Sequence, residues 1–292
     1  MIVNSGSAES GTSQVRREER WFKGRHGLRI AATAWGDPDC RTVVLLHGGG
    51  QTRHAWGQAC ERLALGGYYA VSLDLRGHGD SEWAPNGDYS LRVMARDLAA
   101  CCSELGESIR FVGASAGGLT ALMAISTQLV SARALVLVDI VPEANPKGVE
   151  RVVAFMSARP DGFASVDEAA DLVQEYMQHR ARPSLASGLL KNLRATEDGR
   201  FVWHWDPRFM DGMQAGVVER KHLVRLAHSI DTPVLLIRGG ASDVVTEVAA
   251  ERFVASLPSA HLVTLPDAGH MVAGDRNDRF TDAVSTFLDR FP

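Results

Sequence analysis

Six stretches of the chain are apolar with little interruption and carry many β-branched residues: Thr42–Leu46, Tyr69–Asp74, Ile109–Val112, Ala134–Asp139, Thr232–Arg238 and the shorter His261–Leu265. Runs too short for helices and lacking a polar alternation predict strands buried on both faces. Between them the apolar positions recur at helical spacing, first around Trp56, Leu63 and Leu65, then over Leu91–Leu105 and Leu119–Val130. Strands separated by helices predict right-handed crossovers and a mostly parallel central sheet flanked by helices, an α/β architecture. Upstream, two extended segments, Arg20–Lys23 and Leu28–Ala34, flank Gly24–Gly27 in hairpin fashion and predict an antiparallel edge. Residues 1–18 are polar, contain several Ser and Gly, and lack the apolar core of a secretory signal, so they read as a disordered leader.

The pattern changes between Pro142 and about Arg225. Strand signals disappear there and helical ones take over at Val149–Ser157, Val166–Arg180 and Ser184–Leu193. An insertion of this kind, 142–225, predicts a helical cap over the strand ends of a core domain made of 19–141 and 226–292. Within it, Phe201–Pro207 holds two of the chain's six tryptophans, Trp203 and Trp205. Large rings there serve either to pack the cap onto the core or to wall a substrate pocket.

Composition narrows the function classes. The 292 residues are 45% hydrophobic and 23% charged, enough for a large buried core, and the formal net charge of −4 offers no basic field for nucleic acid or an anionic membrane. No apolar run approaches the ~20 residues of a membrane span. The four cysteines, Cys40, Cys60, Cys101 and Cys102, have no metal-ligand spacing and read as free thiols of a reducing cytoplasm. The glycine run His47-Gly48-Gly49-Gly50 lacks the Gly-Lys-Ser/Thr ending of a phosphate loop and the glycine spacing of a dinucleotide turn. The expectation is a small-molecule substrate with no cofactor and no metal; nothing in the chain bears on oligomeric state.

The chemistry concentrates at strand ends. Ile109–Val112 runs into Gly113-Ala114-Ser115-Ala116-Gly117 and then into a helical pattern, the form of a nucleophile elbow in which the flanking glycines let strand and helix approach. Thr42–Leu46 empties into the glycine run, and Tyr69–Asp74 into Leu75-Arg76-Gly77-His78-Gly79-Asp80-Ser81. Asp243 follows the fifth long apolar run and His270 the last. These features together resemble the α/β-hydrolase fold, in its form with a helical cap, from about residue 20 to the C-terminus. The resemblance implies a serine hydrolase whose nucleophile, acid and base occur in that order along the chain.

Ser115 needs a positioned base, and His270, on a loop past the last strand, is the candidate; His261, His222, His228 and His78 sit in strand, helix or turn contexts. Asp243 is the expected acid orienting that imidazole, with Asp139 its rival at the end of the strand after the elbow helix. For the oxyanion the donors are the Ala116 N–H, at a helix N-terminus, and an N–H of the glycine run, Gly49 or alternatively Gly50. His47, Arg53, His54, Trp56, Trp203, Trp205 and Met271 are candidates for the pocket wall, with His47 also read as a brace of its turn. Asp74, Arg76 and Asp80 read as structural.

Ser115 stands where epoxide hydrolases and haloalkane dehalogenases of this fold carry an aspartate, and Tyr176 is the sole cap tyrosine, which argues against both. Small or medium carboxylic esters or lactones are the expected substrates. The alternatives are carbon–carbon bond hydrolysis of a diketone or dienone acid, and a non-catalytic ligand receptor on the same fold.

Overall fold

The computed structural model describes residues 15–177, 186–215, 217–272 and 277–292. Its first half forms β1 (Arg17–Lys23), β2 (Arg29–Trp35), β3 (Arg41–Leu46), α1 (Gly57–Leu65), β4 (Tyr68–Leu73), α2 (Leu91–Cys102), β5 (Ile109–Ala114), α3 (Ala116–Ser126) and β6 (Ala132–Val138). β1 and β2 make the expected antiparallel hairpin, but Arg17 and Glu18, assigned to the leader, already belong to β1, paired with Trp35 and Ala34. Residues 1–14 of that leader lie outside the described residues.

After β6 come α4 (Pro146–Met156), α5 (Val166–Tyr176), β7 (Leu193–Ala195), β8 (Phe201–Trp203), α6 (Phe209–Ala215) and α7 (Val217–Ala227). Helical spacing anticipated α4 and α5, which Asn145 and Ser165 cap through the Lys147 and Glu168 N–H groups. The expected helix over Ser184–Leu193 is a 3₁₀ segment, Ala186–Asn192, running into a two-stranded ladder of Leu193–Ala195 with Phe201–Trp203. Phe-Val-Trp is β-branched and aromatic, and pairing satisfies its backbone where no helical face was available to bury. Residues 178–185, which include parts of two expected helices, lie outside the described residues. The chain closes with β9 (Val234–Gly239), α8 (Glu247–Ala255), β10 (Ala260–Leu265) and α9 (Asn277–Leu288).

Eight strands form one sheet in the order β1-β2-β4-β3-β5-β6-β9-β10, antiparallel at β1, β2 and β4 and parallel from β4 to β10. The period of two explains the unbroken apolar runs, because alternate residues go to different cores. Val43, Leu45, Val136 and Ile237 pack with Trp56, immediately before α1, with Leu63 of α1 and with Phe280 and Val284 of α9. Val44, Leu46, Leu137 and Leu236 pack with α2, α3 and Leu223 of α7. Helix α3 is buried along its whole length, which accounts for its small residues. No helix among the described residues is long and apolar enough to cross a membrane. Every loop bearing candidate chemistry leaves a parallel strand at its C-terminal end, the side on which open α/β sheets gather ligand sites.

Candidate active site

Between β5 and α3 the chain turns through Ser115 at φ 46°, ψ −117°, outside the ordinary regions for an L-residue. Such backbone costs of order 1–3 kcal/mol and persists only where its surroundings impose it. Here the Ser115 N–H donates to the Val138 carbonyl at 3.2 Å, and the Leu119 N–H donates to the Ser115 carbonyl at 3.0 Å. Strand and helix then approach so closely that a Cβ on Gly113 meets the Gly118 Cα at 2.6 Å, and one on Gly117 meets the Leu46 carbonyl oxygen at 2.5 Å. The elbow glycines are demanded by these contacts.

His270, in the turn after β10, donates from Nδ1 to Asp139 Oδ2 at 2.7 Å. Asp139 terminates β6 in a left-handed conformation, φ 48°, and is fully buried. Its Oδ1 also accepts the Gly239 N–H at 2.8 Å and its Oδ2 the Ser242 hydroxyl at 2.5 Å. A buried carboxylate surrounded by three donors is compensated for its lost hydration and fixes the tautomer that leaves Nε2 unprotonated. The turn of His270 is itself tied to β9, through Gly240 N–H to Leu265 carbonyl and Ala241 N–H to Ala268 carbonyl at 2.8 and 2.9 Å.

The expectation that Asp243 orients His270 is therefore corrected: Asp139 holds that place. Asp243 is drawn the other way, ion-paired at 2.9 Å with Arg151 one turn into α4. Its backbone carbonyl accepts the Asn145 side-chain amide at 2.9 Å, so this stretch anchors the inserted segment. Ser242, adjacent to Asp243, went unremarked in the sequence; its signal is the Gly-Gly-Ala-Ser turn, rich in groups able to donate to a neighbouring strand end.

On the other side of Ser115 the two oxyanion candidates separate. The Gly50 N–H donates to His78 Nε2 at 3.2 Å, and the Gly48 N–H to Gln51 Oε1 at 2.9 Å. Among the described residues the Gly49 and Ala116 N–H groups donate to nothing, which leaves them available to an anion and corrects the inclusion of Gly50. His78 donates from Nδ1 to the Arg76 carbonyl at 3.1 Å. His47 is fully buried, with Nδ1 donating to the Gly48 carbonyl at 2.7 Å and Nε2 accepting the Leu75 N–H at 3.0 Å. Both of its ring nitrogens are engaged in bracing this turn. Burial lowers its pKa to about 4 and that of His78 to about 3, so both are neutral near pH 7.

Three further wall candidates are displaced. Arg53 is buried in an ion-pair network, donating to Asp74, to Asp80 at 2.7 Å and to Glu19 at 2.9 Å, and this network ties the loop after β3 to β1 and to the Asp74 turn. Half-buried His54 lies beside that network, its pKa lowered by burial and by Arg53. Trp56 is in the α1–α9 core against Phe280, with ring centres 5.7 Å apart. An apolar residue on the inner face of a helix start is indistinguishable in sequence from one facing a pocket.

Residues 43–283 match the model of the alpha/beta hydrolase family. The chain belongs to that family. It is 34% identical over 272 residues to "Esterase Rv0045c" of Mycobacterium tuberculosis, covering 89% of this chain and 86% of that one. It is 27% identical over 256 residues to the 3-hydroxybutyrate-oligomer hydrolase of Cupriavidus necator, 83% and 87% of the two chains. The crystal structure of an alpha/beta hydrolase from Novosphingobium aromaticivorans superposes with a TM-score of 0.79 at 26% identity, over 95% of this chain and all of that one.

Two cavities of this alpha/beta hydrolase meet at His270. The inner one, about 50 Å³, is lined by Ser115, Ala116, His270 and mostly apolar residues of α2, α3, α4 and α6, with Arg220 of α7. The outer one, about 740 Å³, is lined by His270, Met271, Asp243, Arg151, Glu175 and Tyr176, among others. Burial, with the Asp243 and Asp139 charges adding to it, pushes the Tyr176 phenol up to about 12. Met271 is thus at a cavity wall as expected. Trp203 and Trp205 line neither cavity. They stack on each other at 4.8 Å, Trp203 packs edge-on to Phe163, and Trp205 pairs through its backbone with His78. They fasten the inserted segment to the oxyanion loop. Among the described residues no group of three His, Cys, Asp or Glu side chains is arranged to hold a metal ion.

Proposed function

We propose that this hydrolase cleaves carboxylic esters or lactones of small acyl groups through an acyl-enzyme. Ser115 attacks the carbonyl while His270 Nε2 takes its proton, and Asp139 stabilises the imidazolium that forms. The Ala116 and Gly49 N–H groups receive the oxyanion, each worth roughly 3 kcal/mol in the transition state. His270 returns the proton to the leaving alkoxide, then deprotonates a water that releases the acid and regenerates Ser115. The 2.7 Å contact of His270 with Asp139, beside a serine lining the same cavity, carries this reading. Relatives named as an esterase and an oligomer hydrolase support it.

The cavity sizes support a division of the substrate. The acyl group enters the inner cavity, where nucleophile and oxyanion donors meet; about 50 Å³ admits roughly four water-sized spheres, hence a short chain. The alcohol leaves past His270 into the larger outer cavity, which tolerates bulk. In this reading residues 142–225 act as the cap, since α4 contributes to both cavities and α6 to the inner one.

Short p-nitrophenyl esters test it. Acetate and butyrate esters are expected to turn over, octanoate esters far less, and Ser115→Ala to lower kcat by roughly 10⁶-fold with the fold intact by circular dichroism. Labelling by a fluorophosphonate probe should require Ser115. An unlabelled wild-type protein points to a receptor, and turnover of a dienone acid with none of the esters points to carbon–carbon cleavage.

A further inference from the structure

The outer cavity, into which the alcohol departs in the reading above, has a stack of rings in its wall. Phe155, near the end of α4, and Tyr176, the last residue of α5, lie 4.4 Å apart between ring centres with their planes 22° from parallel. Both line the cavity together with His270. Behind them the stack runs into the inserted segment, with Phe155 on Trp203 at 5.9 Å, and Trp203 on Trp205 at 4.8 Å and on Phe163 at 5.0 Å. Phe155 and Trp203 thus each have two or more ring neighbours. Half-buried Tyr176, where the stack reaches the cavity, has one among the described residues, and its hydroxyl makes no hydrogen bond among them. The rest of that wall suits a ring as well. The thioether side chains of Met177 and Met271 pack favourably against aromatic groups, and Ala154, Ala158 and Ala241 leave room. Of its three carboxylate or guanidinium groups, Arg151 and Asp243 pair with each other. An apolar wall by itself takes any aliphatic group, whereas a ring stacked on one side and bordering a cavity gains further from a second ring, offset or edge-on, beyond the area buried.

We propose that Tyr176 is a specificity residue whose ring receives an aromatic ring in the alcohol part of the substrate, so that the substrate class is short-acyl esters of aromatic alcohols. This inference rests on the ester-hydrolase reading above and deepens it. Acyl length is set in the inner cavity and the alcohol is chosen in the outer one, and the two meet at His270, which lines both. The platform is fixed before substrate arrives. Phe155 holds one side of Tyr176, and α4, which carries Phe155, is tied to the core by the Asn145 amide donating to the Asp243 carbonyl at 2.9 Å. A preformed platform orders few side chains on binding, so the stacking contact is retained as affinity. The reaction itself is unchanged, with Tyr176 acting on the bound alcohol part and not on the bond that breaks.

The test compares benzyl acetate with cyclohexylmethyl acetate, which share the acyl group and release unactivated primary alcohols. The saturated ring has the larger apolar surface, so burial alone favours cyclohexylmethyl acetate, and a preference for benzyl acetate reads the ring contact. Wild type is expected to favour benzyl acetate about threefold or more in kcat/KM, mainly through KM, and Tyr176→Leu to bring the ratio to one or below. Tyr176→Phe, which keeps the ring, should retain most of the preference, and Tyr176→Met serves if the leucine variant does not fold. A wild-type ratio at or below one, or a ratio indifferent to Tyr176→Leu, overturns the inference while leaving ester hydrolysis standing. A preference lost equally in Tyr176→Phe and Tyr176→Leu also overturns it, because the hydroxyl and not the ring would then select the alcohol. Saturation-transfer NMR of benzyl acetate with Ser115→Ala separates the two readings. Transfer to the benzyl protons that requires the Tyr176 ring, with no turnover of either ester in wild type, keeps the platform and removes the esterase reading. Absence of both transfer and turnover removes both.

Discussion

The two flanks of Ser115 are built on opposite electrostatic principles. On the Asp139 side, a buried carboxylate with three donors faces the histidine that becomes a cation in the proposed reaction. On the side where the proposed reaction develops a negative charge, the groups beneath the glycine loop are two buried histidines kept neutral by desolvation. Each neutral ring accepts one N–H and donates the other way, so together they shape the loop of Gly48–Gln51 without placing a full charge next to the site. Charge is concentrated where it complements the base, and the cationic Arg53 is held deeper by Asp74, Asp80 and Glu19. Preorganisation therefore takes an ionic form on one flank and a neutral, hydrogen-bonded form on the other.

The largest break in this contrast is Asp139→Asn. It should lower kcat by roughly 10³- to 10⁴-fold, because an amide favours the wrong imidazole tautomer and cannot stabilise the cation. Asp243→Asn, at a half-exposed pair with Arg151, should change kcat less than about threefold. Steady-state kinetics of the two variants decide the assignment, and the reverse ranking would return Asp243 to the role of acid. Ser242→Ala sharpens the same flank at smaller scale. Loss of a charge-assisted hydrogen bond should cost about tenfold in kcat/KM, with Ser242→Thr restoring most of it and the acid limb of the pH–rate profile moving only in the alanine variant.

The neutral flank is tested through stability. His47 and His78 have folded pKa values near 4 and 3, below the ordinary 6.5 of the unfolded chain. The unfolded state therefore takes up protons first as pH falls. Their contribution, on the order of 3 kcal/mol for His47, is whole above pH 6.5 and is lost as pH falls toward these values. Melting temperature should fall between pH 6.5 and 4, and less steeply in His78→Gln than in wild type. Equal slopes would mean that His78 is not held neutral.

Much of this was legible along the chain. Sheet strands announced themselves because unbroken β-branched runs fit only a sheet covered on both faces, and the elbow because Gly113 and Gly117 are sterically required around Ser115. The acid was not legible. Asp139 and Asp243 both follow buried strands that are neighbours in the sheet, so either reaches the loop of His270 as judged by sequence. Arg151, from a different element, claims one, while Gly239 and Ser242 satisfy the other. Likewise Gly49 and Gly50 are alike in sequence until His78, beyond β4, occupies one N–H.

What the sequence determined by itself was periodic or steric: the α/β pattern, the tight turn that exposes a serine, and a histidine on a late loop. These follow from local backbone preference and from which faces must be buried. Only the tertiary structure decided which carboxylate serves the histidine, which glycine keeps its donor, that Trp56, Trp203 and Trp205 pack, and that Arg220 reaches the elbow cavity. Those outcomes depend on which polar group meets which partner across elements far apart in the chain, and hydrogen bonding and desolvation are settled only after the elements have packed.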